Sequence, residues 1–157
     1  MKTKKDELLI AILLPLAVGS VSAYLTGDAM MLYEGMVKPP CSPPGRVFTA
    51  VWTVLYILMG VSSYLVYRLD SKDKDVRKAM CLYFLQLAVN FLWPVFFFQF
   101  SWYLFAFIWL ILLWIMILLT VKQFYRLDKR TAYMMIPYLL WVTFAGYLNL
   151  AVFFLNK

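Results

Sequence analysis

The sequence predicts an all-α membrane protein, a bundle of five transmembrane helices, and three observations lead to this prediction. Of the 157 residues, 64% are hydrophobic, whereas soluble domains contain roughly 45–50%, so one small core cannot bury them all. The charged residues are clustered along the chain. The stretches between the clusters are long enough for helices to cross a bilayer, which takes about 20 residues.

The uncharged stretches determine where each span lies. They cover residues 8–27, 47–67, 79–121 and 131–156. The third stretch is long enough for two crossings, and we expect its turn at Gln99, Phe100 and Ser101, because a turn must lie outside the hydrocarbon. The predicted spans, all in one domain of residues 1–157, are 8–26, 44–67, 79–99, 102–121 and 132–155.

The distribution of Lys and Arg predicts the orientation of the bundle. Twelve of the fifteen lie on the side of the N-terminus: Lys2, Lys4, Lys5, Arg68, Lys72, Lys74, Arg77, Lys78, Lys122, Arg126, Lys129 and Arg130. Lys38, Arg46 and Lys157 lie on the opposite side. Since cytoplasmic loops retain basic residues, we expect a cytoplasmic N-terminus and an external C-terminus in the cell membrane. The net charge of +7 is thus a topology signal that fits contact with anionic lipid and does not indicate nucleic-acid binding.

The first predicted span has an alternative interpretation. Lys4 and Lys5, the apolar run after them and the small residues around Ala23 resemble a cleavable signal peptide. The apolar stretch is long for such a peptide, and both interpretations give the same orientation for the rest of the chain.

The long connection, residues 27–43, lies on the predicted external side. It ends in a proline-rich stretch, in which we expect Ser42 to be the N-cap of the second span and Pro43 and Pro44 to occupy its first turn. Prolines restrict the backbone, so ordering this segment costs little entropy. We interpret it as a lid over a site, and a simple spacer is the alternative. Pro15, Pro94 and Pro137 lie in or beside spans and are expected to kink them.

Three predicted spans carry aromatic and amide side chains at helical spacing. The faces are Trp52, Tyr56 and Met59 in the second span; Asn90, Trp93 and Phe97 in the third; and Tyr138, Trp141, Ala145, Leu148 and Asn149 in the fifth. Together they could line one cavity for a large planar ligand. Ordinary helix packing explains the same pattern, and an asparagine in a span can simply bond across helices.

The sequence offers no pattern typical of a conventional enzyme or a metal site. It contains no histidine, and no carboxylate lies within a predicted span. No Ser or Cys has a basic neighbour that would activate it. Cys41 and Cys81 lie on opposite sides of the predicted membrane, which excludes a disulfide between them.

Three groups of residues, in or next to spans two, three and five, form recognisable motifs. They are Lys38, Pro39, Pro40, Pro43–Pro44–Gly45–Arg46–Val47–Phe48, Val51–Trp52–Thr53, Leu55, Tyr56, Met59 and Gly60; Gln86, Leu87, Asn90, Trp93 and Phe97; and Pro137–Tyr138–Leu139–Leu140–Trp141, Phe144, Ala145, Leu148 and Asn149. Taken together, these motifs resemble those of the TspO/MBR family, the tryptophan-rich sensory proteins related to the mitochondrial translocator protein. Spans one and four match the family in character only.

The resemblance implies a five-helix bundle, often a homodimer, with a pocket beneath the first loop for a porphyrin such as protoporphyrin IX and no required cofactor. The pocket residues it implies are Tyr33, Pro43, Trp52, Tyr56, Asn90, Trp93, Phe97, Trp141 and Ala145, and helical spacing adds Tyr138 and Asn149. It also implies light-dependent porphyrin degradation in some bacterial relatives, which would assign a photochemical role to Trp52 and Trp141.

The chain departs from the family pattern at two points near its end. The sterol-associated element of animal relatives needs a basic residue shortly after a tyrosine in span five, but apolar residues and asparagines follow Tyr147 until Lys157. Phe153 and Phe154 replace the Trp-Arg pair of many relatives.

We therefore expect a tetrapyrrole-binding membrane sensor with its pocket between spans two, three and five. The alternatives are a transporter of porphyrins or other hydrophobic ligands and a light-dependent enzyme. Free-base porphyrin fits better than haem, because histidine is the commonest haem ligand and the chain has none.

Overall fold

The computed structural model describes residues 3–69 and 72–157, and Lys2 of the charge count lies outside them. The described residues form six α-helices and no strand. The helices are α1 (Lys4–Leu25), α2 (Ala29–Gly35), α3 (Gly45–Tyr67), α4 (Lys74–Pro94), α5 (Tyr103–Leu127) and α6 (Lys129–Leu155), and a π-helical turn, Val95–Gln99, continues α4. All of these except α2 are long and apolar enough to cross a membrane, which confirms the predicted bundle of five.

Polar caps extend the helices beyond the predicted spans at the N-terminal end of the bundle, where α1, α4 and α6 begin. Thr3 and Asp6 form a capping box at α1, with hydrogen bonds of 2.8 and 3.2 Å. Asp73 accepts from the backbone N–H of Asp75, and Asp128 does the same for Arg130. The helices therefore begin at residues 4, 74 and 129, about one turn before the predicted spans.

The five long helices form a closed ring. Around it, α1 packs on α3, α3 on α6, α6 on α5, α5 on α4, and α4 on α1. Side chains such as Met59, Leu113, Phe124 and Met135 are fully buried inside. Exposed apolar side chains cover the outside, including Leu9, Val54, Leu85, Ile108 and Leu140. Such a surface is suited to lipid and not to water.

Glycines allow α1 and α3 to approach closely. A Cβ on Gly60 would lie 2.5 Å from both the Ala11 carbonyl oxygen and the Ile12 Cα. The Ala11 carbonyl has no helical donor, because Pro15 lacks the N–H that would bond it. A Cβ on Gly19 would collide with the Tyr56 ring. Small residues at such contacts are typical of packing within membranes.

The chain reverses between α4 and α5 close to the predicted position. The N–H of Trp102 donates to the Phe96 carbonyl at 3.0 Å, and Ser101 has a φ of 53°. Residues 100–102 thus form the short turn between antiparallel helices.

The connection 27–43 differs from the prediction in two ways. It contains the helix α2, and α3 begins at Gly45 with Pro44 as its N-cap residue. The prediction of Ser42 as N-cap is wrong, because its hydroxyl donates to the Pro39 carbonyl at 2.8 Å. Pro40 followed by Cys41 with a φ of 66° resembles a type II turn, and this turn directs Ser42 back toward Pro39.

Replacing Gly60 with Ala tests the contact between α1 and α3. The new Cβ meets backbone that cannot give way locally, so we expect a loss of about 1–3 kcal/mol and a lower melting temperature in detergent. Gly146→Ala is the matched control, because its Cβ would meet only Leu110 and Phe107 side-chain atoms at 3.9 Å. Equal melting temperatures for the two variants would contradict the close contact.

Candidate functional site

A cavity of about 240 Å³ lies beneath α2, between α1, α3 and α4. The helix α1 contributes small side chains and Leu16, while α3 and α4 contribute most of the rings. The lining residues are Leu16, Gly19, Ser20, Ser22, Ala23, Thr26, Ala29, Met30, Tyr33, Phe48, Thr49, Trp52, Thr53, Tyr56, Asn90, Trp93, Pro94 and Phe98. We call this space the lid cavity.

Rings spaced four residues apart on α3 form one wall of the lid cavity. The centroids of Phe48 and Trp52 are 6.3 Å apart, and those of Trp52 and Tyr56 are 5.5 Å apart with an interplanar angle of 30°. The Tyr33 ring extends this row from α2, 5.9 Å from Phe48. The row offers flat apolar surfaces against which another ring system can stack.

The hydroxyl groups of the α1 wall are already engaged. The Ser22 hydroxyl donates to the Phe91 carbonyl of α4 at 2.8 Å, and the Thr26 hydroxyl donates to α1 carbonyls, including Ser22 at 3.1 Å. The Asn90 side chain is the main amide at the cavity. The walls are thus largely apolar, with few polar groups to orient a ligand.

A buried hydrogen-bond network joins the back of the cavity to α6. Asn90 Nδ2 donates to the Tyr138 hydroxyl at 2.8 Å, and that hydroxyl donates to Gln86 Oε1 at 2.8 Å. One turn further along α4, Trp93 Nε1 donates to Asn149 Oδ1 at 3.0 Å. Asn149 Nδ2 in turn donates to the Tyr103 carbonyl at 2.7 Å. Because hydrocarbon offers no alternative partners, these bonds fix α4 against α6.

The lid consists of α2 and the segment 36–44, which we call the strap. The Tyr33 hydroxyl donates to the Pro43 carbonyl at 2.7 Å, and Met30 packs against Gly45. Burial raises the pKa of the Tyr33 phenol, and a hydrogen bond with Ser42 partly offsets this effect. These contacts hold α2 against the strap and the first turn of α3.

The end of α6 holds the strap. Asn156 accepts from the Val37 N–H at 3.2 Å and donates to the Val37 carbonyl at 3.0 Å. The Tyr147 hydroxyl donates to the Pro40 carbonyl at 3.3 Å. All three bonds are exposed, so water can replace them when the strap moves.

The structure brings five of the predicted site residues together at the lid cavity: Tyr33, Trp52, Tyr56, Asn90 and Trp93. Tyr138 and Asn149 lie behind it as partners of Asn90 and Trp93. Pro43 belongs to the strap, Phe97 stacks on Trp93 with centroids 5.2 Å apart, and Ala145 is buried in the core.

Trp141 lies elsewhere, in an open apolar groove between α3 and α6. Its centroid is 5.8 Å from that of Phe48, a ring that also contacts Trp52. Its Nε1 is buried without an acceptor among residues 3–69 and 72–157. Trp141 therefore lies outside the lid cavity that Trp52 lines.

Sequence reasoning missed the contribution of α1 to the cavity. The signal was present as Gly19, Ser20, Ser22, Ala23 and Thr26, because small residues in a span mark a face that packs against another helix. Neither a carboxylate nor a basic side chain lines the cavity, and the described part of the chain contains no cluster of His, Cys, Asp and Glu suited to a metal ion.

Comparisons with known proteins match residues 11–155 to the TspO/MBR family. The Tryptophan-rich protein TspO of Chlorobaculum tepidum is 37% identical over 150 residues, covering 95% of each chain. The protein of the same name from Archaeoglobus fulgidus is 34% identical over 151 residues, 96% of this chain and 97% of the relative. The Translocator protein of Bos taurus is 34% identical over 142 residues, 87% of this chain and 82% of the relative.

Tyr138→Phe tests the buried network. The change leaves Asn90 Nδ2 without its acceptor and Gln86 Oε1 without its donor, so we expect a loss of stability of about 1–2 kcal/mol. Tyr133→Phe removes the same atom from a side chain that is 61% exposed and serves as the control. Thermal unfolding in detergent compares them, and a Tyr138→Phe variant as stable as the control would show that the network contributes little.

Proposed function

Because the chain belongs to the TspO/MBR family, we propose that it binds a tetrapyrrole such as protoporphyrin IX in the lid cavity. Membership of this family by itself supports a role as a membrane sensor or transporter. To this role we add the identity of the ligand and the location of its site. We place the protein in the cell membrane with the lid outside, in agreement with the distribution of basic residues.

The row of rings on α3 is the observation that carries the proposal. Phe48, Trp52 and Tyr56 present adjoining ring faces and edges to one apolar space. A free-base porphyrin is a large planar ring system whose inner nitrogens need no axial ligand. Stacking on such rings contributes about 0.5–1.5 kcal/mol per ring pair beyond the burial of area.

The size of the lid cavity requires the lid to move. Its volume of about 240 Å³ is below the ~300–1,000 Å³ typical of sites for drug-sized ligands. The helical walls are fixed, α1 to α3 by the Gly60 contact and α4 to α6 by the buried network. The exposed bonds of Asn156 and Tyr147 to the strap are the ones that open most readily.

Basic side chains at the lid fit the acidic edge of a porphyrin. Protoporphyrin IX carries two propionates, which need cationic partners or water. Lys38 Nζ lies 4.8 Å from the centroid of the Tyr33 ring, and Arg46 follows Gly45, against which α2 packs. We infer that the ring enters between α1 and α3 with its propionates toward these two residues.

Transport of the same ligand is the second candidate function. The relatives from mammals carry the name Translocator protein, and a second cavity lies between α1, α3 and α4 at the opposite end of the bundle. The close approach of Gly60 to Ala11 lies between the two cavities, so passage would require α1 to separate from α3. Ligand-dependent flux in proteoliposomes would favour transport over sensing.

Titration with protoporphyrin IX in the dark tests the proposal, followed by the porphyrin absorption band and by tryptophan quenching. We expect saturation at about one porphyrin per chain. Trp52→Leu should weaken binding about two- to twelvefold, because it removes a ring worth about 0.5–1.5 kcal/mol. Trp141→Leu is the matched control and should change affinity less than twofold, since Trp141 lies outside the lid cavity.

A larger loss for Trp141→Leu than for Trp52→Leu would move the ligand to the groove between α3 and α6. Repeating the titration under illumination separates binding from degradation. Porphyrin absorbance that decays in light only when Trp52 is intact would assign a photochemical role to that residue.

A further inference from the structure

A second cavity, of about 260 Å³, lies between α1, α3 and α4 at the N-terminal end of the bundle. Glu7, Tyr64 and Tyr67 line it together with more deeply placed residues such as Leu14 and Phe84. Among the described residues, the Ser22 hydroxyl of α1 donates to the Phe91 carbonyl of α4. This hydrogen bond lies in the other half of the bundle. The cavity therefore occupies the N-terminal half of the seam between α1 and α4.

A buried hydroxyl without a partner lines this cavity. Tyr83 is 1% exposed, and its hydroxyl oxygen has no hydrogen-bond partner among residues 3–69 and 72–157. The nearby Ser63 hydroxyl donates to the Gly60 carbonyl at 2.9 Å and forms no hydrogen bond with the Tyr83 hydroxyl. A buried polar group without a partner is costly, so the hydroxyl is suited to an acceptor that enters the cavity.

The position of Tyr83 along α4 indicates the depth of that acceptor. Tyr83 follows Lys78 by five residues, which is a rise of about 7.5 Å along the helix. The polar layer on each side of the hydrocarbon is about 5–8 Å thick. When Lys78 lies at the level of the lipid phosphates, Tyr83 therefore lies at the inner edge of the polar layer. This is the level of the glycerol ester carbonyls.

The charges at the mouth are of both signs. Glu7 is partly buried in the first turn of α1 and lines the cavity. Arg68 Nη1 donates to the Tyr64 hydroxyl at 3.2 Å, and its guanidinium lies 5.6 Å from the centre of that ring. A headgroup with an ammonium and a phosphate would satisfy both residues, whereas a headgroup with negative charge alone would be repelled by Glu7.

We propose that this cavity binds one glycerophospholipid of the surrounding bilayer, chosen for an ammonium-bearing headgroup. The Tyr83 hydroxyl donates to an ester carbonyl of the lipid. One acyl chain follows Ile10, Leu14 and Phe84 into the cavity. The ammonium pairs with Glu7 and the phosphate with Arg68. A lipid held there fills the seam beside α1 and stabilises the position of this helix.

Tyr83→Phe tests the site, because it removes one oxygen that makes no hydrogen bond in the lipid-free protein. In delipidated protein in detergent we expect the melting temperature to be unchanged or higher than that of the wild type. On addition of phosphatidylethanolamine the wild type should gain thermal stability, since a ligand of the folded state stabilises it, and the variant should gain less. Native mass spectrometry should show the single-lipid adduct reduced several-fold in Tyr83→Phe.

Two comparisons complete the experiment. Tyr133→Phe, at a side chain that is 61% exposed, should retain the adduct of the wild type. Glu7→Gln should reduce the preference for phosphatidylethanolamine over phosphatidylglycerol with the same acyl chains. Equal adducts and equal lipid-induced stabilisation in the wild type and Tyr83→Phe would show surface lipid only and would overturn the proposal.

Discussion

The bundle depends on the requirement that polar groups within hydrocarbon find partners inside the protein. On α4 these groups are Gln86, Asn90 and Trp93, and α6 supplies the partners Tyr138 and Asn149. The two helices run in the same direction, and each hydrogen bond fixes a pair of residues about 50 positions apart in the chain. A shift of either helix by one turn would break the whole set, so the register of α4 against α6 is determined by chemistry and not by apolar packing alone.

This arrangement explains why the lid cavity lies on the side of α1. The α6 side of α4 is filled by the network, and α1 contributes small residues that leave space between Leu16 and the rings of α3. Asn90 and Trp93 belong to both regions, since each lines the cavity and bonds to α6. A ligand beneath α2 would therefore contact side chains whose positions are fixed before it binds. Such preorganised contacts lower the entropy that binding costs.

Much of this architecture could be predicted from the sequence. Charge-free stretches gave the five spans, and helical spacing placed Asn90 and Trp93 on one helix face, which lines the lid cavity. The differences between expectation and structure depend on neighbouring helices. Trp141 follows Tyr138 by three residues, so a modest rotation of α6 decides which one faces α4, and periodicity cannot fix that rotation. The wrong cap at Ser42 has a similar origin, because the left-handed backbone at Cys41 redirects the strap.

We propose that a planar ligand lies in the lid cavity between α1 and α3. An experimentally determined structure of the protein saturated with protoporphyrin IX tests it most directly. We expect the ring against Trp52 and Phe48, the propionates near Lys38 and Arg46, and α2 with the strap moved outward from α6. A porphyrin in the groove beside Trp141, with α2 and the strap unchanged, would contradict the account.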